Sequence, residues 1–282
     1  MLPMRTLLLP SLLSLLLCFA LVSPASATAP AATASVFVDQ LTWTELRDAV
    51  QAGHTTVIIP VGGTEQSGPH MALGKHNVRV AALAARIAAG LGNALVAPVV
   101  AYVPEGSIAP PTGHMRFAGT VSISTDAFKG VLDGAARSFR QHGFTDVVLI
   151  GDHGGYQSLL KAVAAKLNRD WSAAPGDHPA RAHFVAAYYE LAQTEYVRAL
   201  HAKGLSDAQI GTHAGVADTS LMLAVDPSLV RPQRMPRDAA EGKVSGVYGD
   251  PRASSAALGQ LGVDAIVAGS IAAIRSAVAA KR

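Results

Sequence analysis

The sequence predicts an α/β protein built on a mostly parallel sheet that helices cover on both faces. Apolar, strand-like runs alternate along the chain with helix patterns, several of which end at glycine. The polar residues best suited to chemistry follow the strand-like runs. Half of the 282 residues are apolar and only 15% are charged, so the chain has enough apolar side chains for a large buried core.

Four apolar runs are predicted strands and five segments carry helix patterns. The predicted strands are 54–63, 94–103, 145–155 and 180–190. The predicted helices are 42–53, 77–92, 125–143, 156–171 and a short one from 217 that ends before Pro227. Thr44 is the predicted N-cap of the first helix, and Thr125 or Asp126 that of the third. Open α/β sheets bind ligands outside the carboxyl ends of their strands, so we expect a site at that edge.

Residues 1–27 have the pattern of a secretory signal peptide. An arginine precedes an apolar run over residues 7–22, and residues 25–27 provide the Ala-Ser-Ala of a signal-peptidase site. A transmembrane anchor is the alternative, but a proline interrupts the run, which is shorter than the ~20 apolar residues of a span. We therefore predict cleavage near Ala27, a single mature domain over 28–282 without a stable membrane anchor, and a periplasmic or secreted bacterial protein.

The charge pattern and the cysteine count narrow the function classes. The formal charge is +3, and the basic residues are scattered without the basic run of a nucleic-acid-binding protein. We therefore expect no nucleic-acid partner. Cys18 is the only cysteine and lies in the predicted signal peptide, so a metal site in the mature chain would use histidine and carboxylate ligands.

Three glycine-bearing segments carry the candidate ligands. They contain Glu65 and His76, then His153 in "GDHGG", and then His213 with Asp218 in "GTHAGVADTS". A catalytic zinc or iron site needs neutral imidazole and carboxylate ligands at about 2.0–2.2 Å, with one position open for water. Glu65, His76 and His153 would make such a set. Alternatively, these are polar residues that cap the loops of an ordinary α/β protein.

Four motifs together resemble the creatininase (creatinine amidohydrolase) family. "PVGGTEQSGPHMALGKH" looks like the family's opening P-x-G-S-x-E-x-H-G-x-H-L-P-L-x-T-D, and "HMRFAGTVSIS" resembles H-x-x-F-P-G-T. "GDHGGYQ" is similar to N-G-H-G-G-N, and "HAGVADTSLML" to H-A-G-x-x-E-T-S. The resemblance implies a three-layer α/β/α sandwich, often assembled as a hexamer. It also implies a one- or two-metal site that hydrolyses non-peptide C–N bonds, although the family includes deformylases and a peptide-trimming amidase.

The chain departs from the family pattern where the second metal would bind. The resemblance implies that Glu65 and His153 are ligands, but Ser67 stands where the family has a histidine and His76 where it has a bridging aspartate. Gly155 replaces a glutamate of creatininase proper, and Asp218 stands at the glutamate of E-T-S. An imidazole nitrogen binds one ion, whereas a carboxylate can bridge two. We therefore hypothesise one divalent metal per subunit, zinc first, with Fe(II) or Mn(II) as alternatives.

The remaining motif residues receive roles by the same resemblance. His213 matches the family's proton-shuttling histidine and is the predicted catalytic residue. Asp218 is a metal ligand, a residue that orients a histidine, or the cap of the following helix, and the sequence leaves these three open. His70 could replace a missing ligand, and His114 could contact the substrate.

The predicted function is an exported, metal-dependent amidohydrolase that uses metal-activated water on a small amide or lactam. The alternative is a metal- or ligand-binding protein that has kept the fold and lost hydrolysis. The retained His213 favours the enzyme, because binding alone does not require a proton shuttle.

Overall fold

Four strands form a single parallel sheet in the computed structural model, which describes residues 35–174, 176 and 179–280. The strands are β1 (Thr56–Val61), β2 (Ala94–Val96), β3 (Asp146–Gly151) and β4 (Arg181–Phe184), in the spatial order β2-β1-β3-β4. The predicted signal peptide lies outside the described residues. The α-helices within them are α1 (Trp43–Gln51), α2 (Lys75–Leu91), α3 (Thr125–Gln141), α4 (Gln157–Ala173), α5 (Ala187–Gln193), α6 (Glu195–Ala202), α7 (Asp207–Ile210), α8 (Val216–Val225), α9 (Ala239–Val244) and α10 (Ala256–Ala279).

Two apolar layers enclose the sheet, which confirms the predicted fold class. Successive side chains of a strand point to opposite faces, so Ile58 and Val148 join the layer of α2, α8 and α10. Ile59 and Leu149 join the layer of α3 and α4. All six residues of β1 are buried, which explains why this strand is a continuous apolar run rather than an alternating one.

The ends of several elements differ from the sequence prediction for identifiable reasons. Thr42, not Thr44, caps α1, because its side chain accepts from the Glu45 N–H while the Glu45 carboxylate accepts from the Thr42 N–H. Ser124, rather than Thr125 or Asp126, caps α3. The strand predicted over 94–103 ends at Val96, and the one predicted over 180–190 turns into α5 after four residues.

The longest helix, α10, is absent from the sequence prediction. Its apolar residues recur on every side, so it lacks the polar face that marks a surface helix. Among the described residues it is the one helix long and apolar enough to cross a membrane by length and composition, with a mean hydropathy of 1.6. In the structure it packs against α8, α5 and α2. Its apolar character is therefore used in helix–helix packing.

The connections place a ligand crevice beside β1. From β1 the chain passes through α2 to β2 on one side, and from β2 through α3 to β3 on the other. α2 and α3 pack on opposite faces of the sheet. The chain order therefore reverses between β1 and β3, and ligands of open α/β sheets bind at the carboxyl ends of such strands.

The contact between α8 and α10 generates a stability prediction. A Cβ at Gly259 would lie 1.8 Å from the Ser220 carbonyl oxygen, so Gly259→Ala must push the two helices apart. A Cβ at Gly134, inside α3, would meet nothing within 4 Å. We expect Gly259→Ala to lower the free energy of unfolding by about 1–3 kcal/mol. The matched Gly134→Ala should raise it by roughly 0.5–1 kcal/mol.

Denaturant unfolding of the mature chain measures both changes. Equal effects of the two substitutions would contradict the close approach of α8 and α10.

Candidate metal centre and active site

A cavity of about 300 Å³ opens beside the carboxyl ends of β1 and β3. Five of the seven residues predicted for the site line it, from four separate segments: His76, His114, His153, His213 and Asp218. Glu65 lies immediately behind these side chains with 0% of its own exposed, and His70 lies elsewhere. The tertiary structure thus brings most of the predicted set together.

Glu65 is the centre of the cluster, and its two carboxylate oxygens have different surroundings. Oε1 lies 2.7 Å from His76 Nε2 and 3.7 Å from Lys75 Nζ. Oε2 has no hydrogen bond from the described residues, although His114 Nε2 lies 3.2 Å away and His153 Nε2 3.6 Å away. Burial alone would raise the pKa of Glu65, but the hydrogen bond and charge of His76, with the Lys75 ammonium, lower it. The carboxyl is therefore an anion with one oxygen free to bind a cation.

A second carboxylate, Asp152, holds His76 in place. His76 Nδ1 lies 2.5 Å from Asp152 Oδ2, so the ring spans two carboxylates. Asp152 also accepts from the Arg79 guanidinium at 2.9 Å and from the Tyr188 hydroxyl at 2.8 Å. Burial would raise the pKa of Asp152, but the charge of Arg79 and the contacts with His76 lower it. The sequence analysis gave Asp152 and Arg79 no role, although Asp152 lies in the motif "GDHGG".

His153 is positioned by the turn that ends β3. The Tyr156 hydroxyl accepts from the N–H groups of Asp152 and His153 at 3.1 Å each, and it donates to the Gly62 carbonyl at the end of β1. It thereby ties the two strand ends together. Burial lowers the pKa of His153 to about 4, so its imidazole is neutral at neutral pH, as a metal ligand must be.

His213 presents a basic nitrogen towards the site. Its Nε2 lies 2.9 Å from the Gln66 carbonyl oxygen, which can only accept, so Nε2 carries the hydrogen. The lone pair of the neutral ring is then on Nδ1, which lies 3.7 Å from Glu65 Oε1. Burial, followed by the charge of Lys75, lowers the pKa of His213 to about 3. The ring is therefore neutral at neutral pH and able to accept a proton.

His114 lies beside His213 and shares its glutamine partner. The two ring centroids are 4.4 Å apart. The Gln66 amide nitrogen lies 2.9 Å from His114 Nδ1, and the Gln66 side-chain oxygen accepts from the Gly68 N–H. Because the amide nitrogen only donates, the neutral His114 ring carries its hydrogen on Nε2, the atom that faces Glu65. Burial lowers the pKa of His114, so the ring is neutral at neutral pH.

Asp218, at the start of α8, pairs with two basic side chains. It accepts from Lys75 Nζ at 3.1 Å, from Arg79 at 2.9 Å and from the Ala214 N–H at 2.9 Å. Gly215 is the N-cap residue of α8, and Asp218 lies in its first turn. Because Arg79 also holds Asp152, Asp218 belongs to the network that orients His76. Its role as a metal ligand stays a prediction.

His70 is buried away from the cavity. Its Nε2 lies 2.9 Å from the Thr219 hydroxyl in α8, and its Nδ1 has no hydrogen bond from the described part of the chain. Burial lowers the pKa of His70 to about 4. In this position it packs the loop after β1 against α8, and its accessory role stays a prediction.

Glu105 is a further residue at the site that sequence reasoning missed. It lies in the long loop after β2, its side chain is 0% exposed, and its Oε2 is 3.8 Å from His153 Nδ1. Burial and then the negative charge of Glu65 raise the pKa of Glu105 to about 9. The only available signal was one acidic residue in the segment "PEGS". It matched none of the motifs, so only its position in space identifies it.

The residues present fit a divalent metal. Glu65, His114 and His153 each offer a ligand atom within 4.8 Å of the others. Among the described residues, the donor set contains an anionic oxygen without a hydrogen bond and two neutral imidazoles, which suits zinc, iron or manganese. His114 would bind through Nε2 only after its ring hydrogen moves to Nδ1, the nitrogen that Gln66 contacts. The structure therefore brings His114 into the ligand group beside Glu65 and His153. The ligand role of His76, whose nitrogens both face carboxylates, stays a prediction.

Comparison with known proteins identifies the chain's relatives. The family model described as creatininase, creatinine amidohydrolase, matches residues 39–274. Creatinine amidohydrolase from Pseudomonas putida is 29% identical over 259 residues, which is 86% of this chain and 96% of that protein. The mycofactocin precursor peptide peptidase of Mycolicibacterium smegmatis is 30% identical over 225 residues, or 72% of this chain and 78% of that protein.

Solved structures agree in fold over nearly the same length. A creatininase described as a manganese form and a mutant described as Zn-Zn type each give a TM-score of 0.70 at 28% identity. Each match covers 86% of this chain and 98% of the creatininase chain. Together with the ligand group, these structures support a divalent metal.

The buried Glu105 generates a pH prediction for protein treated with a chelator. The folded chain keeps the Glu105 proton up to about pH 9, whereas the unfolded chain loses it above about pH 4.5. The folded state then binds more protons, so Glu105 makes the free energy of unfolding fall with rising pH in this interval. Glu105→Gln removes that loss. The free energy of unfolding of the variant minus that of wild type should therefore rise by on the order of 3–4 kcal/mol between about pH 5 and pH 8.

Chemical unfolding across pH measures the difference. The exposed Glu190→Gln is the matched control and should run parallel to wild type. Parallel curves for Glu105→Gln and wild type would refute the raised pKa.

Proposed function

This chain belongs to the creatininase family, and we propose that it is a metal-dependent hydrolase of a non-peptide C–N bond in a small amide or cyclic amide. The observation that carries the proposal is the buried anionic Glu65, whose Oε2 has no hydrogen bond within the described chain and faces His114 and His153 across 3.2 and 3.6 Å. This donor set lies beside the carboxyl ends of β1 and β3, where α/β enzymes carry their sites.

We propose one metal per subunit, with zinc as the first choice and iron or manganese as alternatives. The Lys75 ammonium is fully buried and pairs with Asp218 at 3.1 Å and with Glu65 at 3.7 Å. A fixed positive charge beside these carboxylates opposes a second divalent ion there. Ser67 and His76, which replace ligands of the family's second metal, support the same stoichiometry.

A divalent metal at this site would lower the pKa of a water molecule and polarise the substrate carbonyl. Side chains of the protein would accept and then donate the proton that the water loses. His213 Nδ1 would accept it, because the Gln66 carbonyl fixes the hydrogen of that ring on Nε2. The same ring would then deliver the proton to the leaving nitrogen. Asp152 and Arg79 keep His76 against Glu65 and so fix the carboxylate that faces the cavity.

The cavity favours a small polar substrate. Its volume of about 300 Å³ is at the low end for small-molecule sites. Histidine, lysine and arginine side chains line one part of it, and Tyr189 and Leu221 line another. A compact amide or lactam with hydrogen-bonding groups fits this lining better than an extended peptide does.

Two histidine substitutions test the assignment of roles. His153→Ala removes a ligand, so bound metal and activity should both fall, the activity by at least about 100-fold. His213→Gln removes the proton acceptor, so kcat should fall by roughly 10²–10⁴ while the metal content stays unchanged. The exposed His142→Ala is the control and should match wild type in both measurements.

Metal analysis of the mature protein and an amide and lactam hydrolysis screen provide the readouts. Equal hydrolysis by wild type and His153→Ala would end the catalytic assignment. Bound metal without turnover in wild type would favour a binding protein, and two ions per chain would refute the single-metal proposal.

We also propose that the protein is exported and forms a homo-oligomer, a hexamer by resemblance to the family. If so, the full chain expressed in a bacterial host should be recovered outside the cytoplasm with Thr28 as its N-terminal residue, because cleavage follows Ala27. Intact-mass measurement checks the cleavage, and light scattering checks the assembly. The variant Ala25→Arg should keep the full-length mass. An uncleaved wild-type chain in the cytoplasm would refute export.

A further inference from the structure

Glu105 is a buried carboxyl that the proposed reaction does not use. Its side chain is 0% exposed, and no N–H or O–H donor of the described residues reaches either of its oxygens. A buried polar group without a partner costs free energy, so an unpaired carboxyl in a folded protein calls for a cation, a proton or a ligand. Its position beside Glu65 and His153 makes a cation the relevant partner.

The neighbours of Glu105 are the other groups that offer ligand atoms. Its Oε2 lies 3.8 Å from His153 Nδ1, and its carboxyl faces that of Glu65. Glu65 Oε2 also lacks a hydrogen bond from the described residues, so one oxygen of Glu65 and both oxygens of Glu105 have no donor. Two adjacent carboxylates repel each other unless a proton or a cation lies between them. A divalent ion would satisfy both.

Contacts in the loops after β2 and β1 position the Glu105 carboxyl. The Glu105 N–H donates to the Ser122 hydroxyl at 3.0 Å, and that hydroxyl donates to the Gly106 carbonyl at 2.7 Å. A Cβ at Gly63, where φ is 149°, would lie 2.7 Å from Glu105 Oε1. The positive φ of Gly63 disfavours other residues there, and the Glu105 carboxyl lies in the space that their Cβ would occupy.

The other predicted metal ligands already have hydrogen-bond or ion-pair partners. Asp218 is held by Lys75, Arg79 and the Ala214 N–H. His114 can offer its Nε2 lone pair only when Gln66 stops donating to Nδ1. An ion bound by Glu65 and by His153 Nε2, the nitrogen that faces Glu65, would therefore lack a further anionic ligand. Glu105 is the nearby carboxyl that no N–H or O–H donor of the described residues reaches.

We propose that Glu105 is a direct ligand of the divalent metal, on the same ion as Glu65 and His153. The inference rests on the proposed function only in requiring that a divalent metal binds at this site. It assigns no further step in hydrolysis.

Metal affinity and metal spectroscopy test the proposal without using activity. The mature chain is stripped with a chelator and titrated with Zn²⁺ and with Mn²⁺ against a chromophoric competitor. The affinity of Glu105→Gln, which keeps the size of the side chain, should fall at least about tenfold. Glu105→Asp keeps the charge on a side chain that is one methylene shorter, and it should lose less metal affinity. The exposed Glu190→Gln should match wild type.

Visible absorption of the Co²⁺ form separates a ligand from a positioning residue, because band energies and intensities follow the number and kind of ligand atoms. A direct ligand requires the Glu105→Gln spectrum to differ from wild type. Weaker binding with an unchanged spectrum would overturn the proposal, because Glu105 would then act only through His153. Thermal unfolding of each variant confirms that it is folded.

The remaining outcomes separate this inference from the proposed function. If His153→Ala abolishes binding while Glu105→Gln binds as wild type does, the inference is overturned and the metal-dependent function stands. If the wild-type chain binds neither Zn²⁺ nor Mn²⁺, both are overturned.

Discussion

The site depends on one constraint, the burial of the Glu65 carboxylate beside the carboxyl end of β1. A charged carboxylate without exposure is tolerated only when opposite charge and hydrogen bonds surround it. His76 at 2.7 Å and Lys75 at 3.7 Å provide this on the Oε1 side. Oε2 receives no hydrogen bond from the described chain. This difference between the two oxygens directs the negative charge of Glu65 towards His153 and His114.

The first turns of α2 and α8 supply the charges behind the site. Lys75 and Arg79 lie one turn apart on α2, and between them they contact Glu65, Asp152 and Asp218. Buried ion pairs contribute little net stability, because desolvation offsets much of their attraction. Their effect here is positional, since each pair restricts the rotamers of a carboxylate. The network fixes the ring of His76 against Glu65.

The side of the site around His153 is left without hydrogen bonds. Among the described residues, no donor reaches Glu105 or Glu65 Oε2, and Nδ1 of the neutral His213 ring carries a lone pair. Such groups reduce stability, and they persist in folded proteins mainly where function requires them. Paired charges behind the site and unpaired ligand atoms in front are what a cation-binding enzyme needs. The family membership and the chemistry of the individual residues therefore indicate the same kind of site, one that binds a divalent metal.

The sequence by itself determined the fold class, the family and the group of Glu65, His153 and His213, because strand periodicity and local motifs record them directly. It did not identify α10, whose apolar residues face every side, and it misplaced two helix caps. Only the tertiary structure decided the roles of Glu105, Asp152 and Arg79. Their importance arises from side chains that meet across 40 or more positions of the chain, and no local pattern encodes a distance of 3 Å between separate loops.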